Sequence, residues 1–373
     1  MNERVGTETT RAAVLHEFGS PLVIEELELQ PPRAGEVQVR FAATGVCHSD
    51  LDTVKGLDPS PLPLVLGHEG AGVVEVVGEG VVGLRPGDHV VLSWLPYCGR
   101  CRRCISGRPN ICEDLDWFDA GTMRDGTTRF SLRGEPVYHH APASFAERSV
   151  VPAETAIRLD ASMPLEEAAM IGCAVMTGVG AVINTARVRA GESAVVIGCG
   201  GVGLNVLQGL RIAAASPVVA VDVVDEKLAL ARELGATETC NASDDDVATR
   251  VRELLPDGAD HVFEALGDPR TIELAFGLVG PGGNAVVVGL APEGTTAQVE
   301  PYALTSGNRS LLGSWYGACV PPRDFPTLLR LYRSGRLQLE PLIGVTCALD
   351  DINEGLARIE RREPGRTVIR YED

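Results

Sequence analysis

From Gly191 onward the chain alternates strand-like and helix-like segments, and no other feature of the sequence constrains the fold as strongly. Short runs of Val, Ile and Ala mark the strands, and longer stretches with apolar residues at helical spacing follow them. This regular alternation is typical of a doubly wound parallel sheet, an α/β architecture. The predicted segments are 194–197, 204–214, 218–223, 226–234, 261–265 and 285–289.

A glycine-rich turn joins the first predicted strand of this sheet to its first helix. The glycines of such a turn allow a pyrophosphate to approach the helix N-terminus, and Asp222, at the end of the second strand, can accept hydrogen bonds from a ribose. A carboxylate there repels a 2′-phosphate, which favours NAD over NADP. The alternative is a tight turn that binds nothing. The candidate contacts in the turn are Gly198, Gly200, Gly201, Val202 and Gly203.

A second pattern lies near the N-terminus, where Cys47 and the pair His68 and Glu69 stand on two turns flanked by apolar strands. A thiolate, an imidazole and a carboxylate form the ligand set of a catalytic zinc that keeps one position open. For each residue alone, a buried cysteine or a hydrogen-bonded core histidine is the commoner explanation. The pattern therefore indicates a zinc site only when its members are taken together.

Four more cysteines lie close together, and their spacing indicates a second metal site. Four thiolates this close can surround one tetrahedral zinc ion. Two disulfides are the alternative, but Cys-x-x-Cys pairs strain as bridges, and no export signal suggests an oxidising compartment. Because the set contains neither a base nor an open ligand position, we predict a structural zinc. The four residues are Cys98, Cys101, Cys104 and Cys112.

Composition limits the remaining function classes. The net charge of -18 over 373 residues argues against nucleic acid or an anionic membrane as a partner, since both bind basic faces. No apolar run reaches the about 20 residues of a membrane span, and the N-terminus does not resemble a signal peptide, so we expect a cytoplasmic protein of two domains. Closely spaced strands in the N-terminal part indicate a small β-barrel or sandwich, and the polar segment 113–142 is expected to run over the surface or the mouth of the cleft.

Together these motifs resemble those of the zinc-dependent medium-chain alcohol dehydrogenases. The motif Gly67-His68-Glu69-Gly70, the four-cysteine lobe and the glycine-rich turn occur in the family order, and segment 126–130 is similar to the longer, class III-like and nicotinoprotein branch. The resemblance, which runs from near Arg11 to the C-terminus, implies a GroES-like β-barrel catalytic domain and an inserted Rossmann domain that binds NAD. The implied domains are 1–174 with 315–373, including a zinc lobe at 95–115, and 175–314.

The resemblance also implies roles for individual residues. It makes Cys47, His68 and Cys173 the ligands of the catalytic zinc. Glu69 becomes a carboxylate that can visit the metal, and Asp50 accepts the other ring proton of His68. With the four-cysteine lobe, two zinc ions are expected in each chain.

The implied reaction is a hydride transfer from an alcohol bound to zinc onto NAD. Ser49 takes the proton of the alcohol, and Asp52 stands where many relatives have the histidine that ends the proton relay. The implied coenzyme contacts outside the glycine-rich turn are His48, Thr177, Asp222, Lys227 and Arg366.

Four positions around the implied pocket suggest the substrate class. Trp94 narrows the inner part of the pocket, and the small residues Ala141 and Pro142 widen the outer part. Asp116 stands where class III enzymes have an arginine that binds a carboxylated thiol adduct, so an anionic substrate is disfavoured. We therefore expect an aromatic or other apolar primary alcohol and the corresponding aldehyde.

Three alternatives stay open from the sequence. The first is a nicotinoprotein with tightly bound NAD(H), and the second is a formaldehyde dehydrogenase that acts on an S-hydroxymethyl thiol adduct. The third is a catalytically idle NAD-binding or sensor protein. The resemblance further implies pairing across a two-fold axis near residues 310–313, and hence a homodimer or homotetramer.

Overall fold

The computed structural model describes residues 6–58, 60–140 and 142–372. It divides into two compact units. One comprises the N-terminal part of the chain through Cys173 and again the segment from Ile343 onward, and the other comprises Ala174–Leu342. The second junction lies beyond the predicted residue 314, because helix Pro321–Arg333 packs on helix Ala174–Gly180 within the second unit.

Strands and α-helices are numbered in chain order. The strands are β1 (Glu8–Leu15), β2 (Val23–Leu29), β3 (Glu36–Val46), β4 (Leu64–Val65), β5 (Glu69–Val77), β6 (His89–Leu92), β7 (Phe130–Leu132), β8 (Glu135–His139), β9 (Arg148–Pro152), β10 (Ala156–Arg158), β11 (Ala194–Ile197), β12 (Val218–Asp222), β13 (Glu238–Asn241), β14 (Ala259–Glu264), β15 (Val279–Val287), β16 (Ser310–Gly313), β17 (Ile343–Cys347) and β18 (Arg366–Arg370). The helices are α1 (His48–Val54), α2 (Arg102–Ile105), α3 (Asp116–Asp119), α4 (Leu165–Ala169), α5 (Ala174–Gly180), α6 (Gly201–Ile212), α7 (Asp225–Leu234), α8 (Val247–Leu254), α9 (Pro269–Leu278), α10 (Pro301–Ser306), α11 (Pro321–Arg333) and α12 (Ile352–Glu360). A π-helical turn, Ala181–Ala186, continues from α5.

The first unit contains a closed barrel in the order β1-β2-β7-β8-β4. Strands β7 and β8 come from the segment 113–142, so this part of the segment belongs to the barrel, whereas the sequence predicted a course over the surface or the mouth of the cleft. Arg129 explains the difference, because its fully buried guanidinium pairs with Glu36 and Asp125. A buried charge that is paired and hydrogen-bonded anchors a polar segment inside the fold, where composition alone predicts a loop.

A second sheet of the first unit positions the two turns with the predicted zinc ligands. Its order is β10-β6-β5-β3-β18-β17, and β9 also pairs with β3. Strand β3 ends just before Cys47, β5 begins at Glu69, and their antiparallel register places Gly45 opposite Glu69. On the other side of β3, strand β18 places Thr367 opposite Val46. The pairing therefore brings three distant parts of the sequence side by side.

The second unit is built on six parallel strands in the order β13-β12-β11-β14-β15-β16. This is the strand order of a doubly wound dinucleotide-binding fold, and it confirms the predicted architecture. Strand β11 is buried along its whole length, as expected for a strand covered on both faces. The prediction omits β13, α8 and α9. For β13 the reason is that the polar strand Glu238–Asn241 lacks the apolar run by which a buried strand is recognised.

Among the described residues, no single helix is long and apolar enough to cross a membrane. One bent pair, Leu165–Gly172 followed by Ala174–Ala186, meets the criterion by length and composition only.

Candidate active site

Four potential metal ligands converge in the first unit, and we call Cys47, His68, Glu69 and Cys173 the catalytic cluster. Their ligand atoms all lie within 4.8 Å of one another. All four residues are buried, with Glu69 at 0% exposure and Cys173 at 9%. Two thiols, an imidazole and a carboxylate are donors that zinc binds, so the residues present fit the predicted ion.

Asp50 ties together the two turns that carry the cluster. One carboxylate oxygen accepts a hydrogen bond from the backbone N–H of Cys47 at 2.9 Å, and the other accepts one from the backbone N–H of Gly67 at 3.3 Å. The latter oxygen also lies 3.0 Å from Nδ1 of His68. Burial lowers the pKa of His68, but the charges of Asp50 and Cys47 outweigh it, so the pKa is raised. A proton on Nδ1 is thereby held towards Asp50, and Nε2 remains available for a metal.

Arg366 contacts the catalytic cluster through Glu69. Its Nη2 donates to Oε1 of Glu69 at 2.8 Å, and its Nη1 donates to the carbonyl of Val46 at 3.3 Å. Burial raises the pKa of Glu69 to about 7, although the guanidinium of Arg366 acts in the opposite direction. Arg366 was predicted as a coenzyme contact, and nothing in the sequence indicated this ion pair with Glu69. The pairing of β18 with β3 creates it, and no short motif signals that pairing.

The two thiols of the catalytic cluster differ in their ionisation. A hydrogen bond with Cys173 lowers the pKa of Cys47 well below its ordinary value against the effect of burial, and the charges of Arg366 and His68 act in the same direction. The same hydrogen bond and burial raise the pKa of Cys173. Of the two thiols, Cys47 therefore ionises first.

Ser49 lies beside the same ligands. Its Oγ is 3.3 Å from Sγ of Cys47 and 3.3 Å from Nε2 of His68. Nε2 of the exposed His48, the first residue of α1, lies 3.6 Å from Oδ1 of Asp52, one turn further along the helix. Burial raises the pKa of Asp52, and the nearby His48 partly offsets that effect. Helix α1 thus carries a hydroxyl at the ligands and, on either side of it in sequence, an imidazole and a carboxylate that face each other.

The four cysteines of the predicted structural site, here called the lobe cluster, also come together. Sγ of Cys98 lies 4.0 Å from Sγ of Cys104, and Sγ of Cys101 lies 3.9 Å from Sγ of Cys112. Zinc–sulfur bonds of about 2.3 Å in a tetrahedron require sulfur–sulfur distances of about 3.8 Å, so the cluster fits one zinc ion. Backbone amides of residues 104 and 113 lower the pKa of Cys101 to about 6.

Aromatic side chains surround a recess next to the catalytic cluster. The ring of Trp94 meets the ring of His68 edge-on at 6.4 Å, and Trp94 also lies 6.4 Å from Phe118. Together with Pro142 and Trp117, Trp94 and Phe118 line a small cavity of about 20 Å³. Ala141, the other predicted pocket residue, lies outside the described residues.

Three residues that the sequence did not single out, His140, Asp58 and Asp119, stand near this recess together with the predicted pocket residue Asp116. The ring of His140 meets the ring of His68 edge-on at 6.2 Å, and Nε2 of His140 lies 3.6 Å from Asp58. Burial and the charges of Asp116 and Asp58 raise the pKa of Asp119, so these three carboxylates are neighbours. His140 is 72 positions beyond His68 in sequence, and no spacing rule links the two.

The predicted coenzyme residues of the second unit follow the ends of neighbouring parallel strands. A Cβ at Gly203 would lie 1.8 Å from the carbonyl oxygen of Gly198, so α6 packs on the turn as only glycine permits. A Cβ at Gly200 would meet open space instead. Asp222, at the end of β12, accepts the backbone N–H of Cys199 at 2.7 Å. This open turn before a twelve-residue helix, with a carboxylate beside it, fits a dinucleotide.

The remaining predicted contacts of the second unit lie on three helices. Thr177 is buried in α5, which packs on α6, and Lys227 is half-buried in α7, which follows β12. Gly201 and Val202 form the first residues of α6. All of these positions belong to the second unit, whereas His48 and Arg366 belong to the first.

Comparison with known proteins identifies relatives over almost the whole chain. The alcohol dehydrogenase GroES-like domain family matches residues 33–161, and the zinc-binding dehydrogenase family matches residues 201–334. The chain is 40% identical to S-(hydroxymethyl)glutathione dehydrogenase of Paracoccus denitrificans, over 97% of this chain and 100% of the relative.

Solved structures agree with this assignment. The alcohol dehydrogenase zinc-binding domain protein of Burkholderia ambifaria superimposes with a TM-score of 0.94 at 37% identity, over 98% of this chain and 100% of that chain. Benzyl alcohol dehydrogenase of Acinetobacter calcoaceticus superimposes with a TM-score of 0.93 at 32% identity, with the same coverage.

Proposed function

The chain belongs to the zinc-dependent medium-chain alcohol dehydrogenases, and from this premise we propose that it interconverts an aromatic or other apolar primary alcohol and its aldehyde, with NAD as hydride carrier. The family membership confirms the predicted fold class, the oxidoreductase activity and the use of zinc and NAD. The substrate and the roles of individual residues are the proposal.

The observation that carries the substrate proposal is the aromatic recess beside His68. Trp94 and Phe118, whose ring planes are tilted by 39°, form an apolar wall next to the catalytic cluster, which favours an aromatic or other apolar side chain on the alcohol. Asp116 and Asp119 add negative charge nearby and disfavour an anionic substrate. Arg124, which stacks on Trp117, is already paired with Asp114 and Glu154.

In the proposed mechanism the catalytic zinc would be held by Cys47, His68 and Cys173. A bound zinc would supply the Lewis acid that lowers the pKa of an alcohol oxygen, and NAD would supply the hydride acceptor. Asp50 keeps the proton of His68 on Nδ1, so Nε2 faces the thiols. The aromatic wall excludes water from this side of the site and orients the substrate.

Proton release is assigned to the residues of α1. Ser49, whose Oγ lies beside Cys47 and His68, takes the alcohol proton. Asp52, which stands where many relatives have a histidine, is the proposed next acceptor, and Nε2 of His48 lies 3.6 Å from its Oδ1. Glu69 is proposed as the exchange ligand, and Arg366 holds it in position.

A second candidate is oxidation of an S-hydroxymethyl thiol adduct, because the 40% identical relatives are named S-(hydroxymethyl)glutathione dehydrogenase. The benzyl alcohol dehydrogenase structure favours the aromatic alcohol. The intact catalytic cluster speaks against an idle sensor protein. A nicotinoprotein with permanently bound NAD(H) is distinguished by whether the coenzyme survives dialysis.

The test is a substrate panel on protein of measured zinc content, read by absorbance of reduced nicotinamide with and without added NAD. We expect turnover of benzyl-type alcohols and little turnover of a carboxylated thiol adduct. Asp116→Arg should lower KM for the anionic adduct. Glu135→Arg makes the same charge change at an exposed position of β8 and should not lower it. Efficient turnover of the adduct and none of benzyl-type alcohols by the wild type would overturn the proposal.

The proposal also includes a cytoplasmic location and a homodimer or homotetramer. All ten cysteines are free thiols in the structure, which suits a reducing compartment. Strand β16 ends the sheet order of the second unit, and its Leu311 is 41% exposed. Pairing of β16 with a second copy would cover this edge, and light scattering at graded concentrations tests it.

A further inference from the structure

We propose that Asn184 and Asp324 are positioning residues of the NAD site, because together they hold a strained left-handed turn, Tyr316–Ala318, against helix α5. The inference concerns the second unit by itself and rests on the NAD-binding role of that unit. Neither residue is part of the glycine-rich turn or of the catalytic cluster.

Three successive residues of the turn have left-handed backbone conformations. Tyr316, Gly317 and Ala318 have φ angles of 52°, 60° and 50°. A left-handed conformation is readily adopted by glycine but is costly for tyrosine and alanine. Such strain persists only where the surrounding structure determines it, and it is concentrated at functional sites.

The turn lies at the edge of the sheet where nucleotides bind. It follows the carboxyl end of β16, and the backbone N–H of Ser314 donates to the carbonyl of Val287, the last residue of β15, at 2.9 Å. In an open parallel sheet, ligands bind outside the carboxyl ends of the strands. In the same sheet, Gly198 follows the carboxyl end of β11, and Asp222 is the last residue of β12.

The turn packs directly on the backbone of α5. A Cβ at Gly317 would lie 2.5 Å from the carbonyl oxygen of Met176 and 2.9 Å from that of Thr177. A Cβ at Gly180 would lie 2.4 Å from the carbonyl oxygen of Gly317. Movement of the turn would therefore displace the part of α5 that carries Thr177, a proposed coenzyme contact.

Helix α5 transmits the same constraint to the start of α6. A Cβ at Gly178 would lie 2.5 Å from the carbonyl oxygen of Val202 and 2.7 Å from the backbone nitrogen of Val206. Val202 belongs to the glycine-rich turn. The strained turn, α5 and the start of α6 are thus in direct backbone contact at these glycines, which leaves little room for a shift.

Asn184 holds the strained turn through its amide. Nδ2 donates to the carbonyl of Gly317 at 3.1 Å and to Oδ2 of Asp324 at 3.2 Å, and Oδ1 accepts from Nη2 of Arg323 at 3.0 Å. The carbonyl and the carboxylate need a donor and the guanidinium needs an acceptor, so only one orientation of the amide satisfies all three. Asn184 lies in the π-helical turn Ala181–Ala186, a local geometry often found at functional sites.

Asp324 completes the arrangement from α11. Its Oδ2 accepts the backbone N–H of Val320 at 2.7 Å, and its two oxygens accept from Arg323 at 2.6 and 2.9 Å. Asp324 is 8% exposed. The carboxylate therefore fixes both the amide of Asn184 and the chain segment that leaves the turn.

The test is Asn184→Asp, measured in the zinc-loaded protein by NADH fluorescence titration and thermal unfolding. The carboxylate would face the carbonyl of Gly317 and the carboxylate of Asp324, so the turn would leave its strained conformation. If the binding-competent conformation falls to about a tenth of the population, the apparent Kd for NADH rises about tenfold. Added Ala318→Gly, which removes the steric cost of one left-handed residue, should restore part of the affinity.

The matched control is Asn353→Asp in the first unit. Asn353 also makes two backbone hydrogen bonds, to the N–H and the carbonyl of Leu22, both at 2.9 Å. We expect this variant to lose stability without a change in NADH affinity. If Asn184→Asp does not fold, Asn184→Ala removes the same contacts without added charge.

The outcomes separate this inference from the proposed function. Unchanged NADH affinity in the folded Asn184 variants overturns the positioning role while the dehydrogenase proposal stands. A loss of stability equal to that of Asn353→Asp, with the same NADH affinity, overturns it as well. A wild type that binds no NADH would overturn both proposals.

Discussion

The lobe cluster and the catalytic cluster each place four ligand atoms within 4.8 Å of one another, yet they are built in different ways. The lobe cysteines come from one short segment, and backbone amides donate to their sulfurs, such as the N–H of Cys101 to Sγ of Cys98 at 3.3 Å. The catalytic ligands come from three distant segments, and the side chains of Asp50 and Arg366 hold them.

The difference shows what each site must do. Three of the four lobe cysteines are partly exposed, and the cluster offers no ligand type that exchanges, so its function is to fix an otherwise irregular segment. The catalytic cluster is buried, mixes donor types and has charged neighbours that tune each ligand. A local set of ligands suffices for a structural ion, whereas a reactive one needs support from the whole domain.

The largest expected effect is that of Cys47→Ser. Loss of a thiolate ligand should lower kcat/KM by about 10³-fold or more, since a bound metal supplies several kcal/mol of stabilisation to the transition state. Zinc analysis should still find the lobe ion, and the melting temperature should change little. Cys240→Ser, at a buried thiol of β13, is the control. An unchanged rate would disprove the zinc mechanism.

Cys104→Ser should have the opposite pattern. The lobe would lose its ion and open, at a cost on the order of 3 kcal/mol, or about 10 °C in melting temperature for a unit of this size. Protease cleavage at Arg102 and Arg103 should become faster. Enzyme that remains folded should keep its kcat, and a selective loss of kcat without loss of stability would contradict the structural role.

Asp50→Asn tests the side-chain support that only the catalytic cluster has. An amide cannot accept from Cys47, Gly67 and His68 at once, so one backbone N–H would face the new NH₂ group. We expect zinc affinity and kcat/KM to fall by about 10- to 100-fold, with the lobe zinc retained. Asp350→Asn at the exposed partner of Arg11 is the control. Equal losses in both variants would argue against a specific role.

The smallest effect concerns acid stability of the barrel beside the catalytic cluster. Burial, with the charge of Arg129 nearby, lowers the pKa of His139 from 6.5 to about 3, and its Nε2 accepts the backbone N–H of Arg129 at 2.9 Å. Because the unfolded chain binds this proton and the folded chain does not, stability falls as pH drops below 6.5 and continues to fall towards 3, by at most about 1.4 kcal/mol per pH unit.

His139→Gln should flatten that pH dependence, since the amide oxygen can accept the same hydrogen bond without titrating. Urea unfolding at pH 7 and pH 5.5 measures the difference. His16→Gln, at a histidine that is 40% exposed, should leave the slope as in the wild type. Identical slopes for all three proteins would show that His139 is not the titrating group.

The sequence predicts the parts of both sites that depend on short-range spacing. The lobe cysteines and the glycine-rich turn are local patterns. Their members are close in sequence, and the structure places them close in space. The resemblance to a family added Cys173, which no spacing rule connects to Cys47. The assignments of Ser49, Asp52 and the other site residues stay predictions until the variants are measured.

Two features lie beyond sequence reasoning. The barrel strands β7 and β8 are formed by a polar segment. Its burial depends on Arg129, whose partners are Glu36 and Asp125, and Arg129 and Glu36 are 93 positions apart in sequence. His140 reaches His68 for a similar reason, because the barrel returns its segment to the site.

By itself the sequence determined the class of fold and the two metal-binding patterns, because alternating strand and helix segments and short cysteine and histidine motifs can be recognised along the chain; it also predicts a preference for NAD. Only the tertiary structure decided which side chains hold each site in place: Arg366 on Glu69 and Asp50 on both turns in the first unit, and the Asn184 and Asp324 pair on the strained turn in the second. These contacts depend on strand register and helix packing, which arise from the sum of many weak interactions over the whole chain.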